Sequence, residues 1–133
     1  MQQLEILPTY KSPKVNFDPL SGLFQIQGSS ILVNAEEFYS PLLNWMDDFI
    51  KNPTCKEVKF VFDIEYVNVA STKRFMLFLN RLAILHEKGV KVTVDWLHDG
   101  NDQYMIEVGE DLSQLFKLNF NFVALASSAA PKT

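Results

Sequence analysis

The sequence predicts a single α/β domain: a mixed β-sheet with crossover helices, in the order β-β-α-β-α-β-α-β. Three observations carry this. VKFVFDIEYV, VKVTVDW and FNFVAL have strand-like patterns and are separated by stretches with apolar residues at helical spacing. Two short strand patterns near the N-terminus flank a turn. The 133 residues, 47% of them hydrophobic, hold enough apolar surface for one core.

Leu4 to Leu7 gives a short strand pattern ahead of Pro8. Lys14 to Phe17 and Leu23 to Gly28 flank Asp18-Pro19-Leu20-Ser21-Gly22 and form a β-hairpin. Asn34 is placed to cap a helix, with Glu37 three residues on to reach back. Phe38, Leu42, Trp45, Met46 and Phe49 follow at helical spacing. Ser40-Pro41 interrupts them, which fits a short turn followed by a helix from Pro41, ended by Asn52-Pro53.

Glu57 to Val67 reads as a strand. Val58, Phe60, Phe62, Ile64 and Tyr66 fall on one face, and Val61 and Val67 join Asp63 and Glu65 on the other. Apolar residues on both faces predict a central position in the sheet. A helix from about Ser71 to Lys88 follows, stopped by Gly89, with Phe75, Phe78, Leu79, Leu82 and Leu85 or His86 as its buried stripe. Val90 to Trp96 alternates as another strand and Asp99 to Asp102 turns. A third helix spans about Asp102 to Lys117, with Met105, Val108, Leu112, Leu115 and Phe116 as its apolar positions. Phe120 to Leu125 makes the last strand. The domain is therefore placed at residues 1–125, and the small polar tail 126–133 is expected to be disordered.

The charge balance narrows the function classes. A net charge of −4 argues against nucleic acid as a partner, since phosphate neutralisation needs clustered Lys and Arg. The single cysteine, Cys55, excludes an internal disulfide and zinc-type cysteine spacing. No cationic segment leads into an apolar one at the N-terminus, and no apolar run nears the roughly 20 residues of a membrane helix. The expectation is a cytoplasmic protein without membrane insertion.

The segment Asn68-Val69-Ala70-Ser71-Thr72-Lys73 joins the central strand to the second helix. Strand ends in α/β folds often carry function, because the loop is exposed while the scaffold is rigid. The first N–H groups of a helix lack intrahelical partners and carry partial positive charge, so a phosphate there gains hydrogen bonds. It also adds about −1.5 to −2 charges, enough to repel an apolar or acidic partner. Lys73 and Arg74 fall within the first turn, where they can pair with that phosphate or with a partner carboxylate. The plainer alternative is that Ser71 or Thr72 only caps the helix.

A second candidate is His98-Asp99 with Asp102, followed by Glu107, Glu110 and Asp111, as a metal site or small enzyme centre. Its spacing matches no known metal loop, and Gly100-Asn101 fits an ordinary turn. A solvated helix start is the bland alternative, since carboxylates favour that end of a helix. His86, Trp45 and Trp96 are expected to pack, and Cys55 to act as a small hydrophobe or surface thiol. There is no Gly-rich phosphate loop of the Walker or dinucleotide type.

From about Ser12 to Phe122 the chain resembles the SiaC family of small bacterial regulatory phosphoproteins. The segments that carry the resemblance are GLFQIQGSS, Asn34-Ala35, Phe38-Tyr39-Ser40-Pro41, Asn44-Trp45, Tyr66-Val67-Asn68, Ala70-Ser71-Thr72-Lys73, Trp96 and DQYMIEVGED. The resemblance implies a STAS-like domain that works by partner switching, with no cofactor and no metal. It implies protein partners: a diguanylate cyclase bound and activated by the unphosphorylated form, a GHKL-type kinase and a PP2C-type phosphatase. It places the phosphoacceptor threonine in a motif similar to Asn-Thr-(Ser/Ala)-Ser-(any)-Lys, which falls on Asn68 to Lys73. The expected partner surface lies around Asn68 to Arg74, with Asn68, Ala70, Lys73 and Arg74 as its binding residues, and on the adjoining second helix.

The acceptor position is occupied here by Val69, which has nearly the shape of threonine but no hydroxyl. Three readings stay open. The protein is permanently unphosphorylated and partner-competent; the acceptor has moved to Ser71 or Thr72; or the chain is a variant blocked at its switch.

Overall fold

The computed structural model describes residues 1–126. Of the tail expected to be disordered, residues 127–133 lie outside the described residues. Among the described residues the sheet has six strands, in spatial order identical to chain order. They are β1 (Leu4–Ile6), β2 (Lys14–Phe17), β3 (Leu23–Ser30), β4 (Glu57–Val67), β5 (Lys91–Asp99) and β6 (Asn119–Leu125). β1, β2 and β3 pair antiparallel, and β3 to β6 run parallel. Helices α1 (Ala35–Lys51), α2 (Val69–Glu87) and α3 (Gln103–Leu115) are the three crossovers. The order therefore has one strand more than the expected β-β-α-β-α-β-α-β, because Leu4–Ile6 pairs with β2.

All three helices cover one sheet face. Phe24, Phe60, Phe62 and Trp96 share that face by register and are fully buried. Phe49 of α1 packs on Phe24 at 5.1 Å between ring centroids and Phe75 of α2 on Phe62 at 5.0 Å. The Trp96 indole donates to the Met105 carbonyl of α3 (2.9 Å). This aromatic core accounts for much of the favourable burial. The opposite face is open and polar, laced by the Lys59–Asp95 pair (3.7 Å) and an Asn121 to Asp95 hydrogen bond (3.1 Å). β4 lies inside the parallel part of the sheet, as its two-faced apolar pattern predicts.

Four local expectations need correction. α1 starts at Ala35 and runs unbroken through Pro41, with Asn34 accepting from the Glu37 amide (3.1 Å). Pro41 is exposed, so the carbonyl that loses its helical donor is on the solvent side. α2 begins two residues earlier than expected, at Val69, and Asn68 rather than Ser71 or Thr72 is its cap. Leu115 is not core; it is 57% exposed at the end of α3. Tyr66 is not on the core face either.

The last error has a clear cause. Register along β3 and β4 pairs Gly28 with Ile64 but Ser29 with Tyr66, so Glu65 is an extra residue, a β-bulge. A one-residue insertion reverses which side chains face the core. Tyr66 turns outward, 61% exposed, while Val67 turns inward beside buried Ser30. Gly28 accommodates the irregularity with φ of 118°.

Candidate functional site

The bulge sets the geometry of the β4–α2 junction. Its one-residue shift brings Ser30, at the end of β3, level with Val67 and next to the first turn of α2. Asn68 then ties the junction down. Its amide N–H donates to the Ser30 carbonyl (3.1 Å). Its side-chain Nδ2 donates to the Leu32 carbonyl (2.8 Å), and its Oδ1 accepts from the Ser71 amide (3.0 Å). One residue thus caps α2 and fastens it to the loop between β3 and α1.

Ser71 points into the protein, not out of it. It is fully buried, and its Oγ accepts a 2.7 Å hydrogen bond from Ser30 Oγ. Ser30 Oγ is also 2.6 Å from the Tyr39 hydroxyl. Ser30 has one proton, given to Ser71, so Tyr39 is the donor in that second bond. Burial pushes the Tyr39 phenol far above its usual pKa. The three hydroxyls join β3, α1 and α2 under the junction.

Thr72 is half-buried, and its Oγ1 donates back to the Asn68 carbonyl (3.1 Å), which also accepts the Thr72 amide (3.0 Å). Its hydroxyl is held within its own helical turn. Val69 stands apart: it is the first residue of α2 and is 67% exposed. No acidic side chain lies in the first turn. The Val69 and Ala70 amides precede the first intrahelical bond. Lys73, one turn on, is exposed, and the Arg74 Nε is buried without a hydrogen-bond partner among the described residues. Val33, which follows the Leu32 whose carbonyl Asn68 holds, is 94% exposed.

The second candidate cluster divides. His98 and Asp99 end β5, and with Asp63, Glu65, Tyr66 and Asp102 they border a 580 Å³ cleft at the C-terminal strand ends. Glu107, Glu110 and Asp111 do not line it. Each inner member has a local task. His98 Nδ1 donates to the Asp99 carbonyl (2.9 Å), Asp99 accepts from the Asn101 amide (2.8 Å), and Asp102 caps α3 through the Met105 amide (3.1 Å). Among the described residues, no three His, Cys, Asp or Glu side chains are grouped as metal ligands. Cys55 is half-buried, and burial raises its thiol pKa, which lowers its reactivity. Among the described residues, no helix is long and apolar enough to cross a membrane.

Sequence reasoning missed Ser30, Tyr39 and the Leu32 carbonyl. Gly28 inside a strand was an available signal for a bulge. Nothing in the sequence marks Ser30 and Tyr39 as partners of Ser71, because their contact depends on the fold.

Comparison with known proteins agrees with this architecture. Residues 6–125 match the SiaC family of regulatory phosphoproteins. An uncharacterized protein of Pseudomonas aeruginosa strain UCBPP-PA14 is 25% identical over 114 residues, 86% of this chain and 90% of that protein. The crystal structure of apo-SiaC from Pseudomonas aeruginosa superposes with a TM-score of 0.84 at 24% identity, covering 93% of this chain and all of that one. The structure of the diguanylate cyclase SiaD in complex with its activator SiaC, from the same organism, matches with a TM-score of 0.84 at 24% identity, over 92% and 99% of the two chains.

Proposed function

The chain belongs to the SiaC family of regulatory phosphoproteins, and we propose that it is a non-enzymatic cytoplasmic regulator that binds and activates a diguanylate cyclase while locked in its unphosphorylated form. The activator role is carried over from SiaC, which is the activator of SiaD in their complex. The lock is this chain's own. One observation carries it: the exposed position that opens α2 is Val69, and neither neighbouring hydroxyl is free. Ser71 is buried under the helix, and Thr72 is bonded into its own turn. A kinase has no nucleophile to reach without unwinding the helix start.

In this reading Val69, Ala70, Asn68 and Lys73, with the exposed Val33, form the surface a cyclase covers, with Arg74 behind it. An uncharged, apolar first turn favours docking, and a phosphate there opposes it through charge and desolvation. A family kinase and PP2C-type phosphatase therefore act on a Val69→Thr protein but not on this one. The test is a cyclase assay. The purified chain, added to a diguanylate cyclase from its own host, is expected to raise cyclic di-GMP output. Preincubation with ATP and the kinase should leave that effect unchanged. An absence of binding to every such cyclase would remove the activator role.

A further inference from the structure

β6 is an edge strand whose one neighbour is β5. Among the described residues, no strand pairs with its outer row of N–H and C=O groups. Protein edges are normally blunted by charge, proline, bulges or shortness. β6 has none of these. Its sequence NFNFVAL carries no charge and no proline, and it pairs with β5 over seven residues in one unbroken register. The other edge, β1, is three residues long and carries Glu5. β6 itself carries large apolar side chains that are partly open to solvent: Phe122, Val123 and Leu125 are each about two-fifths exposed.

We infer that this edge receives a second copy of the same chain, with the two β6 strands antiparallel about a two-fold axis at Phe122. Unpaired backbone groups call for a strand, and this strand is complementary to itself. Phe122 is the midpoint of Asn119–Leu125. Antiparallel pairing there sets Phe122 opposite Phe122, Phe120 opposite Ala124, Asn121 opposite Val123 and Asn119 opposite Leu125. Register with β5 puts Phe120, Phe122 and Ala124 on the helix side, beside Val94, Trp96 and His98. The bulky Phe120 then meets the small Ala124, and no like charges face each other. A stable interface buries roughly 1,200 Å² or more in total, beyond what two strand edges supply. The interface therefore includes side chains beyond the paired backbone, Phe122, Val123 and Leu125 among them. The pairing joins two six-stranded sheets into one and leaves the α2 N-terminus free.

The inference stands apart from the proposed function, and its test uses no cyclase. Light scattering of the full chain over a range of concentrations should give twice the 15.3 kDa of one chain. Asn121 and Val123 are both exposed, on the open sheet face, and opposite each other across the proposed axis. The double substitution Asn121→Lys with Val123→Lys places like charges in contact twice and should weaken dimerisation at least tenfold. Asn121→Lys with Val123→Glu places opposite charges there and should restore it. Circular dichroism checks that both variants remain folded, and the second also serves as the control for edge disruption as such. A wild-type monomer at every concentration, or two folded variants that associate alike, would overturn the inference.

Discussion

Ser30 and Ser71 lie 41 positions apart in the chain and share a 2.7 Å hydrogen bond with both side chains fully out of solvent. This contact decides how the β4–α2 junction works. It ties the first turn of α2 to the end of β3, and it keeps buried a hydroxyl that the sequence offers as a candidate phosphoacceptor.

Ser71→Ala should therefore act on stability rather than on signalling. It leaves the Ser30 proton without its buried acceptor, which costs about 1–2 kcal/mol. Urea unfolding should show that loss, while cyclase activation by the folded variant stays unchanged. A loss of activation at full stability would place Ser71 in the partner surface instead.

Asn68→Ala removes the cap of α2 and the donor to the Leu32 carbonyl together. Unfolding free energy should fall by about 2 kcal/mol. Asn68→Asp keeps an acceptor for the Ser71 amide but no donor for Leu32, so it should recover roughly half of that loss. Equal stability of the two variants would show that the Leu32 link alone matters.

The Tyr39 phenol makes alkaline stability predictable. Its folded pKa is raised, mainly by burial, above the ordinary value of 10.0. The folded state keeps this proton where the unfolded chain releases it. Its contribution is complete below about pH 10 and declines as pH rises above that. In Tyr39→Phe the stability curve should lie lower at neutral pH and fall less steeply above pH 10. Denaturant midpoints measured from pH 7 to 11 check both halves.

Gly109 is the point where α3 closes on the core. A Cβ there would lie 2.5 Å from Trp96 Nε1 and 2.9 Å from the Phe122 ring. Gly109→Ala should lower stability by about 1–3 kcal/mol despite alanine's better helix propensity. A neutral or stabilising effect in thermal unfolding would mean that α3 shifts freely against the sheet.

Much of the fold was legible in the sequence, because periodicity reports directly on burial. β4 from Glu57 to Val67 and the α2 stripe at Phe75, Phe78, Leu79, Leu82 and Leu85 stand where their patterns placed them. What failed was local and non-periodic. Tyr66 was read by strict alternation, which the extra Glu65 breaks. Pro41 was read as a helix boundary, but its exposure makes the lost bond tolerable. At the junction, Val69 opens α2 and is exposed. The orientation of Ser71 could not be read, since it depends on Ser30 and Tyr39, brought together only by β3 and α1.

The most direct test of the locked-switch account is intact mass. The wild-type chain and Val69→Thr are each incubated with ATP and a GHKL-type kinase from the same host. The account predicts no mass change for the wild type and the gain of one phosphate for Val69→Thr, mapped to position 69. A phosphate on Ser71 or Thr72 of the wild-type chain would contradict it.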